Sequence, residues 1–234
     1  MSWTLHTFED NQTLVPQLSA SIAETLAEAI RLRGRASLAV SGGGTPRTLF
    51  DALSVIDISW SNVVITLVDE RWVDDNDPAS NALLVRRHLL RSHAAGAQFL
   101  GLKNADRDPA LAVAAVDKQL HEQLLPLDLA VLGMGEDGHT ASFFKDAEGL
   151  EVALAPGTQT ACCAVRPPRA PHARMTLTLN TLLASRRLLL HVVGVSKLGV
   201  LQEAMQPGPS NLLPVRAVLH QLQPPLEIYY ATRE

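Results

Sequence analysis

Leu132-Gly133-Met134-Gly135-Glu136-Asp137-Gly138-His139-Thr140-Ala141-Ser142 follows a short apolar run, Leu127 to Leu132. The stretch reads as the exit from a buried strand and the entry to a helix. Glycines at such a turn let the backbone approach a ligand closely. The helix N-terminus behind them offers unpaired N–H groups, and His139 stands at that rim, placed for acid–base chemistry. The segment therefore reads as a reaction centre set on an α/β sheet, with a plain connecting turn as the competing reading. Gly133, Gly135 and Gly138 also satisfy G-x-G-x-x-G. A dinucleotide site places an acidic residue about 20 positions on, after a second strand. Here that region is Ala153-Leu154-Ala155-Pro156-Gly157, and Glu151 precedes any obvious strand. A bound nicotinamide is not expected.

Outward from this segment the chain alternates helical and strand patterns. Leu14, Leu18, Ile22, Leu26 and Ile30 make one apolar face of a helix over 11–33. Ala36 to Val40 reads as a strand, Ser41-Gly42-Gly43-Gly44-Thr45-Pro46 as a sharp turn, and Pro46 as the opening of a helix to about Leu53. Val63 to Val68 is a nearly continuous apolar strand, which suits a sheet covered on both faces. It leads into Asp69-Glu70-Arg71-Trp72-Val73. Helices are expected at Ala79–Leu90 and Pro109–Leu124, the second packed through Leu111, Ala115 and Leu120. Further strands are expected at Phe99-Leu100, Thr160–Val165, the start of Met175–Leu183, Leu188–Val193 and Glu227–Tyr230. Ser196 to Met205 reads as a helix with Ser196 as its N-cap. This alternation predicts an α/β fold, a mostly parallel central sheet with helices on both faces.

The 234 residues, 47% of them apolar, fit one domain over 1–234 with room for a small peripheral lobe. A net charge of −4 without a basic block argues against nucleic acid. The start, Met1-Ser2-Trp3-Thr4-Leu5-His6, lacks a signal-peptide pattern, and no uninterrupted apolar run approaches roughly 18 residues, so no membrane partner is expected. Cys162 and Cys163 are adjacent in an apolar run. They read as small buried hydrophobes in a reducing, cytoplasmic setting, and no metal site is expected.

The turn at Ser41–Pro46 has the composition to present several N–H groups to a phosphate or sugar oxygen, although it is not a Walker A loop. Arg71 follows two carboxylates at the end of a central strand, where ligands of α/β sheets bind; an internal ion pair is the alternative. Arg174 and Lys197 have the reach to hold a phosphate, or are ordinary surface charges. His139 is the preferred acid–base residue, its imidazole titrating at about pH 6.5 when unperturbed. His6, His88, His93, His121, His172, His191 and His220 read as surface or satisfied structural residues. Gly194-Val195-Ser196-Lys197-Leu198-Gly199 is one residue too long for a serine nucleophile elbow. Ser142, expected on a helix, reads as a capping or ligand contact, so attack by water ranks above a covalent acyl-enzyme.

Together these segments resemble the 6-phosphogluconolactonase family. The resemblance rests on Ser41–Pro46, Asp69–Val73, Gly133–Ser142, Arg174-Met175-Thr176-Leu177-Thr178 and Gly194-Val195-Ser196-Lys197, in this order, over nearly the whole chain. Arg71 stands where the related glucosamine-6-phosphate deaminases have tyrosine. Ser142-Phe143-Phe144 replaces their asparagine–glutamate–proline. The resemblance implies a modified Rossmann-like sugar-phosphate isomerase/lactonase fold and hydrolysis of 6-phospho-D-glucono-1,5-lactone to 6-phosphogluconate, a step of the oxidative pentose phosphate pathway. It implies His139 as general base, with Asp137 or Glu136 orienting it or binding a sugar hydroxyl. Gly43, Gly44, Thr45, Asp69, Arg71, Gly135, Arg174 and Lys197 are the implied substrate contacts. No cofactor is required, because the substrate is already an activated ester. The implied partner is a small phosphorylated sugar lactone, acted on by a monomer or small homo-oligomer. A deaminase or isomerase using an acidic base such as Asp69, and a non-catalytic sugar-phosphate sensor, are the alternatives.

Overall fold

The computed structural model describes residues 3–233; Met1 and Ser2 of the N-terminal reading lie outside the described residues. In chain order the elements are β1 (Trp3–Asp10), α1 (Asn11–Arg33), β2 (Ala36–Val40), α2 (Pro46–Ser54), β3 (Val63–Leu67), β4 (Asp69–Arg71), α3 (Asn81–His88), β5 (Gln98–Leu100) and α4 (Pro109–Gln123). They continue with β6 (Leu129–Gly133), α5 (Leu150–Leu154), β7 (Cys162–Val165), β8 (Arg174–Leu177), α6 (Leu179–Leu183), β9 (Arg187–Val193), α7 (Val195–Met205), α8 (Arg216–Leu219) and β10 (Leu226–Arg233).

Seven strands form a parallel sheet in the order β1-β10-β9-β6-β2-β3-β5. Every residue of β2 is buried, so both faces of the sheet are covered at its centre. From β2 the chain builds outward through β3 to β5, then returns to lay β6 on the other side of β2 and builds toward β9 and β10. This reversal places a crevice between the carboxyl ends of β2 and β6, the usual ligand position in open α/β sheets. At the opposite end of these strands, buried Asp128 accepts from the Ser37 amide (2.8 Å) and the Arg33 guanidinium (2.6 Å).

The helix over 11–33 forms as its periodicity predicts. Asp10 caps it by accepting from the Thr13 amide at 2.9 Å. Leu14, Leu18, Ile22 and Leu26 are fully buried along one face, and Arg31 and Arg33 stand in the last turn, where cations suit the helix dipole. Pro46 opens α2 at its first position.

Several expectations are corrected. Asp69-Glu70-Arg71, Cys162–Val165 and Arg174–Leu177 do not extend the parallel sheet. They form a separate three-stranded antiparallel sheet, β4-β8-β7, whose buried side chains join the same hydrophobic core. No helix follows the glycine–histidine segment. Gly138 (φ 75°), Ala141 (φ 48°) and Asp146 (φ 60°) take left-handed backbone there, which a helix cannot continue through, and the next helix begins at Leu150. On α4, Leu120 is buried as expected, but Leu111 is 62% exposed and Ala115 is also exposed; Ala112 and Val116, one residue further on, are buried in their place, on the side where β7 and β8 pack. Gly194, not Ser196, occupies the cap of α7. The C-terminal strand runs over all of Leu226–Arg233, and β1 beside it is an element that the sequence pattern did not announce. No helix among the described residues is long and apolar enough to cross a membrane.

Candidate active site

The crevice between β2 and β6 opens into a cavity of about 250 Å³. Its first wall is the turn after β2. The Ser41 amide donates to the Val131 carbonyl (3.0 Å), and the Ser41 hydroxyl accepts from the Gly133 amide (2.9 Å), which ties the two strand exits together. The turn continues through Gly43, Gly44 and Thr45 into the N-terminus of α2. Among the described residues, none of these three amides donates to another protein group. They stand on the pocket wall at the positive end of a helix, an arrangement that favours an anionic oxygen.

The second wall is the loop after β6. The Gly135 amide donates to the His139 carbonyl (2.9 Å) and the Gly138 amide to the Gly135 carbonyl (3.1 Å), closing a compact turn. The amides of Gly133, Gly135 and Gly138 are thus already used within the protein. A Cβ at Gly135 would lie 2.2 Å from the His139 ring, so glycine is needed for the imidazole to fold back over the loop. His139 Nδ1 lies 2.5 Å from Asp137 Oδ1, and the ring stacks on Phe144 at 4.1 Å between centroids. An ionised carboxylate only accepts, so Nδ1 is the donor of this bond. The His139 bond in turn holds the Asp137 carboxyl below the usual carboxylate range.

The third wall comes from the antiparallel sheet. Arg71 pairs with Arg174 across β4 and β8. The Arg174 guanidinium sits 3.7 Å from Asp69 and 5.1 Å from the Phe144 ring centroid, so it touches both an acid and the aromatic wall. Burial pulls the Arg174 pKa below its usual value, and the Asp69 carboxylate offsets only part of that effect. Asp69 also accepts from the Ser142 hydroxyl at 2.6 Å. Arg71 donates from Nη1 to the Ala79 carbonyl (2.7 Å). Neighbouring Glu70 points away from the cavity. Its carboxylate accepts from the amides of Asn81 and Ala82, each at 2.7 Å, and so closes the start of α3; burial pushes its pKa up.

The structure brings Gly43, Gly44, Thr45, Asp69, Arg71, Gly135, His139, Arg174 and Lys197 to one cavity, with Asp137 directly behind His139. Glu136 lies elsewhere: its carboxylate accepts from the Ser196 hydroxyl (2.7 Å) and ties the loop to α7. Ser142 lies in a turn rather than on a helix, fully buried and engaged with Asp69. Two lining residues escaped sequence reasoning. Asn81 donates to the Asp69 carbonyl (2.8 Å) and abuts Gly42. His191, read above as a surface or satisfied histidine, is 3% exposed and its Nε2 has no hydrogen-bond partner. Its signal was available as the single polar residue in the apolar run Leu188–Val193. No cluster of side chains able to hold a metal ion occurs among the described residues.

An imidazole hydrogen-bonded to a carboxylate thus shares one cavity with Arg71, Arg174 and Lys197. The family model described as glucosamine-6-phosphate isomerases/6-phosphogluconolactonase matches residues 9–225. A 6-phosphogluconolactonase of Rhizobium meliloti is 41% identical over 231 residues, covering 99% of this chain and 100% of the relative. One of Pseudomonas aeruginosa is 42% identical over 213 residues, covering 91% and 88%. The crystal structure of a 6-phosphogluconolactonase from Shewanella baltica superposes with a TM-score of 0.96 at 43% identity, covering 98% of each chain. A monomeric glucosamine-6-phosphate deaminase shares the fold at a TM-score of 0.79 and 17% identity, covering 97% of each chain.

Proposed function

The chain belongs to the glucosamine-6-phosphate isomerase/6-phosphogluconolactonase family and its reaction is lactone hydrolysis, and we propose that His139 drives that reaction as a general base. The substrate is 6-phospho-D-glucono-1,5-lactone. With Nδ1–H held by Asp137, Nε2 takes a proton from water as the water oxygen bonds to C1. The C1–ring-oxygen bond then breaks, and the imidazolium returns its proton to the leaving ring oxygen. The product is the open-chain 6-phosphogluconate.

Arg71, Arg174, Lys197 and the amides of Gly43, Gly44 and Thr45 hold the phosphate and the sugar oxygens. Binding energy from the phosphate end positions the carbonyl at His139. Glu136 acts at a distance, by fastening the catalytic loop to α7. The deaminase-like alternative needs a free acidic base, and Asp69 is instead buried and engaged by Ser142, Asn81 and Arg174. A cytoplasmic location belongs to this reading, supported by two free, buried cysteines.

The observation that carries the proposal is the 2.5 Å Asp137–His139 contact at the rim of a cavity lined by Arg71, Arg174 and Lys197. Hydrolysis of freshly generated lactone, compared with its spontaneous rate, tests it. The wild type accelerates hydrolysis and a folded His139→Ala variant does not. Full activity in the variant overturns the base assignment, and an inactive wild type returns the protein to the deaminase or sensor alternatives.

A further inference from the structure

His191 has no place in the mechanism above, yet it lies on the same cavity. It sits on β9 opposite Gly133 of β6. Paired residues of neighbouring strands point to the same face, so the imidazole stands where its partner contributes no side chain. The residue is almost fully buried, and Nε2 finds no hydrogen-bond partner in the protein. A buried polar nitrogen without a partner is uncommon in native structures and calls for an explanation, such as a partner that arrives with the ligand. The nearby charge is cationic: Lys197, from the start of α7, acts on this ring and lines the same cavity.

We propose that His191 is a specificity-determining residue whose imidazole donates a ring N–H to a phosphoryl oxygen of the substrate, beside Lys197. The inference rests on the reading that Lys197 helps to hold the phosphate. Burial, and to a lesser degree the Lys197 ammonium, push the His191 pKa down to about 4, so the ring is neutral at neutral pH. A neutral imidazole donates one hydrogen bond without repelling the neighbouring ammonium. It adds a directional contact to the diffuse attraction of the lysine.

The test compares the phosphorylated lactone with the same lactone lacking its phosphate. His191→Phe keeps a ring and removes the donor; His191→Leu is a second apolar variant should the first fail to fold. His191→Gln restores an N–H, and Lys197→Ala reports on the phosphate reading itself. Losing one hydrogen bond to a charged group is expected to raise KM for the phosphorylated lactone roughly ten-fold. The effect falls on KM rather than kcat, is several-fold smaller on the unphosphorylated lactone, and is largely recovered in His191→Gln. An unchanged KM in a folded apolar variant overturns the proposal. So does an equal loss on both lactones, which marks a packing role. If Lys197→Ala discriminates between the lactones and the His191 variants do not, the phosphate reading stands and the His191 inference falls. If neither position discriminates, both fall.

Discussion

At the scale of single residues, the orientation of His139 depends on two neighbours. Asp137 selects the proton position through a 2.5 Å bond to Nδ1. Asp137→Asn keeps the shape, and its amide oxygen accepts more weakly than a carboxylate. Steady-state kinetics should show kcat falling by roughly 10²-fold, at the low end of what a positioned acid–base group contributes, with KM changed much less. Gly135→Ala acts sterically. The added methyl would lie 2.2 Å from the imidazole and 2.6 Å from Asp137 Oδ1, so the ring must leave its seat. The same assay should find that variant folded and nearly inactive. A Gly135→Ala enzyme with normal kcat would show that the imidazole works from another position.

At the scale of elements, α1 and the central strands were legible because each carries a single strong pattern. A four-residue apolar repeat buries one helix face, and continuous apolar runs suit strands covered on both sides. Leu18 is fully buried in α1, and Leu18→Ala should cost about 2–5 kcal/mol in denaturant unfolding. Asp69-Glu70-Arg71 was legible as chemistry but not as a strand. Three residues show no period, and their pairing with β8 is decided more than 100 positions away. The loop after β6 misled because its composition permits a helix, while its left-handed residues depend on tertiary contacts such as Gly138 against Leu213. Most of the site was readable because glycines, His139 and the arginines carry recognisable chemistry. Asn81 was not, since its importance lies in where the start of α3 delivers it, and His191 left only one signal, a lone polar residue in an apolar run. The adjacent cysteines were readable as core. Burial pushes both thiols up to about 12, so they are protonated and shielded. Native protein should resist iodoacetamide, and denatured protein should take up two equivalents.

At the scale of the molecule, the buried His191 couples the cavity to global stability. Its pKa falls from 6.5 to about 4 on folding. Between those values the unfolded chain binds a proton that the folded state refuses, so stability rises with pH across that window. The contribution is complete above about pH 6.5 and is lost toward pH 4, by about 3 kcal/mol. Denaturant melts at pH 7 and pH 4.5 should therefore diverge less in His191→Phe than in wild type; equal slopes would refute this linkage.

The pairing of β1 with β10 bears on how the protein is made. One of the sheet's two edge strands precedes every other described element, and its hydrogen-bonding neighbour follows them all, in register from Trp3 with Leu226 to Asp10 with Arg233. During synthesis on a ribosome, the segment Trp3–Asp10 emerges before every other described element and waits, unpaired, until Leu226–Arg233 has been translated. Such a long-range closure is slow to form and leaves an open strand edge in the nascent chain. The alternating, half-polar character of β1, which contains no apolar run, suits a segment that must stay in water during that wait.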